Sequence, residues 1–495
     1  MALVPLLHVI DRSSSHSNGG RPSSHRGRFG VGWFFGFVFF FVLLRWIGNL
    51  TTERMVYPSL RWPAALTASA YLACYPGLFA LLQGFLCRRL GQRAMVLAPF
   101  TWTLVEVART SGTLGFPWGA VGYGLLPYPS LIQGASVGGV DLLSLWIVAV
   151  NVSLWSFLGT ARLMRRRVWA SALIPIVLLA GPWAWGRARI PQAKRAHLGS
   201  VGIVQPSVRG DEKWDAATRD SSFNILERKS RKLAKRSVDL IIWPETAIPV
   251  YLRYEADYFA RTRTLARDLS SFLLVGFPDG EFEESERFLK YNAAGLFDRR
   301  GNLIETYWKI HLVPFGEALP WQDVFPVLEK IDLGEGDYSP GHERTVFDTG
   351  LGRFSVLICF ESIFPRLARQ FADQDLDFLV NITNDDWFGD TPAAAQHAAM
   401  AVMRAVENGM SLVRCANSGI SGVVDPFGRI KVKTPLFKRL ELVALVDAPL
   451  PGKTVYRRVG DAFLWLCVVV TGASLGAAAL RRPERNAVDK AAGAS

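Results

Sequence analysis

Cysteine is scarce in this chain, and its placement excludes most of what cysteines usually do. Cys74, Cys87, Cys359, Cys415 and Cys467 form no CxxC pair and no metal-ligand spacing, so neither a disulfide framework nor a zinc site is expected, and no metal. Acidic residues are also in deficit: 56 Lys and Arg stand against 43 Asp and Glu, a formal net charge of +13. A basic excess suits nucleic acid when it forms a stripe on a soluble face. Here it lies in short clusters beside apolar runs, so nucleic acid is not an expected partner and anionic lipid head groups are. None of the seven histidines has a G-x-S-x-G motif to serve, and no phosphate-cradling or dinucleotide glycine loop is found. A serine triad and nucleotide chemistry drop out with them, and no cofactor is expected. The opening MALVPLLHVI lacks both the length of a membrane span and the basic start of a signal peptide.

What is abundant is apolar sequence. Half of the 495 residues are hydrophobic, with 16 Trp and 31 Phe, and a chain this long exceeds the roughly 250–300 residues of a single core. A polytopic membrane domain joined to a soluble domain follows. Six spans are expected, at 31–48, 63–86, 94–108, 138–160, 168–186 and 461–480. Basic clusters at Arg26 and Arg28, Arg88 to Arg93, Arg162 to Arg167 and Arg481 to Arg485 all fall on one side of them. With those clusters cytoplasmic, the parity of the spans places residues 187–460 outside. The organisation is then a polar segment 1–30, a membrane domain 31–186 of about five spans, an extracytoplasmic domain 187–460, a last span 461–480 and a cytoplasmic tail 481–495. The outward loop 109–137, rich in Gly and Pro, suits either substrate contacts or an ordinary interfacial turn. Cys74, Cys87 and Cys467 read as small buried hydrophobes of the apolar segments.

Beyond RARIPQAKR the pattern changes to short β runs, opened by HLGSVGIVQPSV. Strands are expected at 238–243, 271–277, 290–298, 302–308, 344–348, 353–359, 377–382, 410–416, 421–425 and 440–447, with turns at Arg300-Gly301 and Asp425 to Gly428. A helix over 391–409 has a cap in Asp390 or Thr391, a first-turn proline in Pro392 and an exit in Gly409. This alternation suggests an α/β domain of two sheets packed face to face, with helices outside. Cys415 falls on one of the strands and reads as core.

Cys359 ends the run SVLIC, a rigid mount for a thiol that needs a base or cation nearby to react. Glu245, just past a strand in IIWPE, and Lys309, in YWKIHLVPFGE, sit where strands give way to loops. Glu, Lys and Cys make a workable acyl-transfer set, in which the carboxylate takes the thiol proton and the ammonium, with the Phe360 N–H, holds the oxyanion. Glu317 is placed to orient Lys309 or stabilise charge during thioester formation, and Glu361 to do the same from the cysteine side, with a structural salt bridge open as the alternative for either. His311 reads as structural. The stretch 318–334 suggests an interfacial lid, with Leu319, Trp321, Phe325 and Leu328 as its apolar teeth.

WPE, KIHLVPFGE and CFES, in that order and about 64 and 50 residues apart, resemble the Glu-Lys-Cys triad of the nitrilase superfamily. LVPFGE, NITNDDWFG and GFPWGAVGY resemble, more narrowly, the apolipoprotein N-acyltransferase family. The resemblance implies a polytopic α-helical membrane domain plus a nitrilase-like α-β-β-α sandwich, with Glu245, Lys309 and Cys359 as its triad. It also places Trp214 and Trp387 near substrate and the loop 109–137 at a lipid entrance. It departs from the family in Phe360, where Tyr is common, and in Asp386, where Ala is common. Two membrane helices ahead of ALVPLL are implied as well, which would make this chain start late. The implied reaction is cysteine-thioester transfer from a phospholipid acyl donor to a diacylglyceryl apolipoprotein acceptor, by a monomer in the bacterial inner membrane. A membrane-tethered amidase acting on a small amide, and an inactive scaffold, remain open as alternatives.

Overall fold

The computed structural model describes residues 3–14, 24–51, 58–160, 165–191, 195–284, 286–320 and 338–481. Twelve strands form the α/β part: β1 His197–Gln205, β2 Leu240–Ile242, β3 Phe272–Phe282, β4 Phe288–Phe297, β5 Leu303–Trp308, β6 Phe347–Thr349, β7 Gly352–Ile358, β8 Phe378–Thr383, β9 Ser411–Ala416, β10 Gly422–Val424, β11 Ile430–Lys433 and β12 Leu440–Asp447. They make two six-stranded sheets, ordered β12-β1-β2-β3-β4-β5 and β11-β10-β9-β8-β7-β6. The central pairs β1-β2-β3 and β7-β8-β9 are parallel and the outer ones antiparallel.

Alternation along each strand separates the layers. Leu240 and Ile242 of β2 join Val356, Ile358, Val380 and Ile382 between the sheets. Ile241 and Trp243 point the other way, against Phe223, Leu226 and Leu265 of the helices Ala216–Ala234 and Ala256–Leu269. Helices Pro365–Ala372 and Pro392–Asn408 cover the second sheet through Ala368, Phe371, Val402 and Val406. The result is the expected α-β-β-α sandwich. Its parallel strands are apolar throughout because both faces are buried, each such side chain contributing about 1.5–3 kcal/mol. All ten expected strands are present. β1 is the opening run HLGSVGIVQ, and β11 alone of the twelve was not singled out, its IKVK sequence being largely exposed. Thr391, rather than Asp390, caps the helix Pro392–Asn408 by accepting the Ala393 N–H, and Gly409 ends it at φ 68°.

The helical part differs from expectation in three places. Residues 1–30 are not only polar: Val4–Ser14 is a helix whose Leu6, Leu7 and Ile10 pack on Phe79, Leu86 and Met95. The first long helix starts at His25 rather than residue 31. The segment 94–108 splits into a tight turn, Gln92–Leu97, and the twelve-residue helix Ala98–Arg109, about 18 Å long and too short to cross a bilayer. Among the described residues four helical segments are long and apolar enough to span: His25–Asn49, Pro58–Leu90, Ala135–Gly159 and Ala462–Leu480. The expected span 168–186 overlaps the helix Arg165–Arg189, which is not among those four. Cys74 is exposed on its helix, whereas Cys87 and Cys467 are buried as expected.

Helix Ala135–Thr160 is broken at Gly138 and Gly139, the latter at φ 69°. A Cβ at Gly139 would stand 2.8 Å from the Tyr456 ring. Just past the break the Val140 N–H donates to Glu407 Oε1 at 2.9 Å, and Glu407 is paired in turn with Arg404 at 2.9 Å. The helical and α/β parts are thus joined through buried polar contacts as well as apolar ones.

Candidate active site

Glu245 follows β2, Lys309 follows β5 and Cys359 follows β7, so strand ends of both sheets bring them to one rim. Glu245 is buried; its Oε1 accepts from Asn292 Nδ2 at 2.8 Å and its Oε2 from the Asn384 N–H at 2.8 Å. Lys309 Nζ stands 3.8 Å from Glu245 Oε1 and 2.7 Å from Glu317 Oε2. The other Asn292 amide hydrogen reaches Glu317 Oε1 at 2.9 Å, so this asparagine of β4 spaces the two carboxylates. Glu317 is returned toward Lys309 by its own loop, its Oε2 accepting the Val313 N–H at 2.9 Å. Burial alone would lower the Lys309 pKa, but Glu317 and Glu245 outweigh it and hold the ammonium well above its ordinary value.

Cys359 opens a short 3-10 turn, Cys359–Ile363, and adopts φ 52°, a left-handed conformation uncommon for a side chain of this kind. Glu361 holds that turn against the Lys309 strand end. Its Oε1 accepts Tyr307 OH at 2.7 Å and the Ile310 and His311 N–H groups at 2.8 and 3.0 Å, while Oε2 accepts the Ile358 N–H at 2.7 Å. The contacts are main-chain and phenol donors, not an ion pair. Burial and the charge of Glu245 push the thiol pKa up, against Lys309, which lowers it. The resting thiol is therefore protonated and needs a base as it reacts. His311 packs its ring on Phe364 at 3.9 Å, and burial with the Lys309 charge lowers its pKa to about 4, leaving it neutral.

An aromatic wall closes the other side of Cys359. Phe360 lies 6.2 Å from Phe116 and 5.2 Å from Phe364, filling with apolar ring the place where a hydroxyl is absent. Phe116 stacks on Trp118, which meets Trp46, Phe388 and the His397 ring. Trp118 Nε1 also donates to Gln396 at 2.7 Å. The loop 109–137 thus packs directly on the nucleophile's turn. Behind it is a cavity of about 1000 Å³, lined by Phe35, Phe39, Leu43 and Trp102 of the helical part and by Gln396 and Met400 of the α/β part. Trp118 and Met400 belong both to its lining and to the cluster on which Cys359 packs.

Trp214 ends the short helix Gly210–Trp214, whose Lys213 donates to the Glu245 carbonyl at 3.1 Å and whose Gly210 N–H reaches Asp386 Oδ2 at 2.7 Å. Asp386 therefore ties that turn to the Trp387 loop, and the Trp387 carbonyl accepts the Thr51 N–H at 3.1 Å. Both tryptophans are half-buried near the rim. Of the lid residues, Leu319 is half-buried, and Trp321, Phe325 and Leu328 lie outside the described residues. The sequence reading did not single out Asn292, Asn381, Thr383, Asp385, His397 or Arg414. Asn381, Thr383 and Asp385 stand in the quoted stretch NITNDDWFG with Asp386 and Trp387; Asn292, His397 and Arg414 have no local signal.

Residues 200–453 match the carbon-nitrogen hydrolase family, and residues 1–153 match the apolipoprotein N-acyltransferase N-terminal domain. An apolipoprotein N-acyltransferase of Geobacter metallireducens is 37% identical over 97% of this chain and 91% of its own. One of Brucella melitensis is 34% identical over 85% of this chain and 79% of its own. Among solved structures, an amidase from Nesterenkonia sp. aligns over 56% of this chain and 98% of its own at 20% identity, with a TM-score of 0.41. The matches at both ends of the chain, carried through nearly its whole length by relatives of one name, show that it belongs to the apolipoprotein N-acyltransferase family.

Proposed function

We propose that this protein moves an acyl chain from a membrane phospholipid to the N-terminal amine of the diacylglyceryl-cysteine of apolipoproteins, with Glu245, Lys309 and Cys359 as its triad. The observation that carries the reading is the position of Cys359: a carboxylate and an ammonium on one side, and on the other an aromatic wall opening on a large apolar cavity built partly from membrane helices. A small-amide site has no use for such a cavity, whereas an acyl chain buries about 0.8 kcal/mol per methylene in one.

Glu245 takes the thiol proton as sulfur attacks the donor ester carbonyl. The tetrahedral oxyanion forms against Lys309 and the Phe360 N–H. Its collapse breaks the ester C–O bond, and Glu245 returns the proton to the departing lysophospholipid alkoxide. The acceptor amine then attacks the thioester carbonyl, loses its proton to Glu245, and displaces the Cys359 sulfur, which recovers it. Glu317 keeps the ammonium in place and Glu361 keeps the turn in place; Trp214 and Trp387 flank the entering substrate.

The four helical segments long and apolar enough to span among the described residues, and the bacterial relatives, support a bacterial membrane protein. We place it in the inner membrane, with residues 187–460 on the extracytoplasmic side where processed lipoproteins lie. One chain supplies all three triad residues, so the site needs no second copy. Intact-mass measurement of the protein in phospholipid micelles tests this. An acyl adduct should appear on the wild type, be absent from Cys359→Ala, and pass to an added diacylglyceryl peptide. An adduct that decays equally fast to free fatty acid without peptide would make the protein a hydrolase.

A further inference from the structure

The carbonyl oxygen of Cys359 gathers donors from three elements. Ser362 Oγ donates from the same turn at 3.0 Å, His397 Nε2 stands at 3.1 Å on the helix Pro392–Asn408, and Asn381 Nδ2 reaches from β8 at 3.4 Å. All three side chains are essentially inaccessible to solvent. His397 Nε2 also lies 3.2 Å from Ser362 Oγ, and its contact with the Cys359 carbonyl is a hydrogen bond in the tautomer with the proton on Nε2, whose Nδ1 accepts from Arg414 Nη2. The ring is fixed from behind, its Nδ1 lying 2.9 Å from Asp385 Oδ1 and 3.1 Å from Arg414 Nη2. Asp385 is itself fixed by Arg414 Nη2 at 2.7 Å and by the Thr383 hydroxyl at 2.8 Å. Arg414 also donates to the Asn381 side-chain oxygen. One arginine therefore orients two of the three donors.

This oxygen belongs to the peptide unit between Cys359 and Phe360, which is planar and trans. To fix its C=O is to aim its N–H the opposite way, and that N–H is the Phe360 donor of the acyl-transfer site. As the second residue of the turn, Phe360 has no acceptor for this group inside it. Donors on the C=O also polarise the unit and strengthen the N–H as a donor. The left-handed Cys359 is the hinge on which the plane would otherwise rotate.

We propose that His397, held by Asp385 and Arg414, is a positioning residue that, together with Ser362, aims the Phe360 N–H at the oxyanion. This rests on the acyl-transfer reading above and adds to it a group that touches neither the thiol nor the substrate.

Two rates on each purified variant test the proposal: alkylation of Cys359 by iodoacetamide, which needs the thiolate but forms no oxyanion, and acyl-thioester formation in phospholipid micelles, which needs both. His397→Leu should slow thioester formation about 10–100-fold, with alkylation within about 2-fold of wild type and the KM for phospholipid unchanged. His397→Gln, which keeps an N–H donor, should recover most of the loss. Ser362→Ala, a small change that leaves the ring in place, should slow thioester formation about 3–10-fold with the same selectivity, and it decides the matter if His397→Leu does not fold. Equal losses in both rates, or a wild-type thioester rate in the folded variants, would overturn the proposal while leaving acyl transfer intact. A wild type that forms no thioester overturns both.

Discussion

The sheet that carries Glu245 and Lys309 differs from the sheet that carries Cys359 in where its buried hydrogen bonds go. In the first, the charged side chains are held chiefly by one another, with one backbone amide on each carboxylate: Asn292 spans Glu245 and Glu317, and Glu317 grips Lys309. In the second, side chains act on the main chain: Glu361 takes three backbone amides, and Ser362, His397 and Asn381 converge on one carbonyl, with His397 and Asn381 fixed from behind by Asp385 and Arg414. The first arrangement sets charge and the second sets direction. A loss of charge removes the base or the cation itself, whereas a shift in direction weakens only the oxyanion contact, so the two sides should fail differently.

The largest effect is expected from Glu245→Gln, which keeps the shape and removes the base. Thioester formation and iodoacetamide alkylation should fall together by about 10³-fold, and unchanged alkylation would place the base elsewhere. Lys309→Met comes next. It leaves Glu245 and Glu317 buried without their cation, so a thermal melt should show a loss of about 3–5 kcal/mol, and thioester formation should fall about 10²-fold. Glu361→Gln belongs to the other sheet and should separate the two rates: its amide would face the Ile358 N–H, costing about 1–3 kcal/mol, with thioester formation about tenfold slower and alkylation nearly unaffected. If both rates fell alike, the division between charge and direction would be wrong. The smallest effect is expected at the cavity, where Met400→Gln should raise KM for a long-chain phospholipid about 3–10-fold, roughly 1 kcal/mol, and leave a short-chain ester unaffected.

Much of the α/β part was legible because apolar runs of strand length, bounded by turn residues, are a local signal. Glu245, Lys309 and Cys359 stood out because each follows such a run. His397 and Arg414 did not, since on a buried helix face and inside β9 nothing local separates a positioning residue from a satisfied core one. Asn292 was hidden for the same reason: its role depends on β4 lying between β3 and β5. The helical part was misread where local chemistry interrupts hydropathy. The turn Gln92–Leu97 shortens an apolar stretch that averages as a span, and the apolar stripe of Val4–Ser14 is too short to register.

The broken helix Ala135–Thr160 sets an order of events during synthesis. Its second half starts with an amide whose acceptor, the Glu407 carboxylate, is encoded 267 residues later. At ribosomal speeds of about 5–20 residues per second that acceptor emerges roughly 13–50 s after Val140. Until then that helix is unfinished, and it is completed only when the α/β part has folded far enough to present Glu407. Biogenesis of this protein is accordingly not membrane part first and catalytic part second; the later half puts the final stitch in the earlier one.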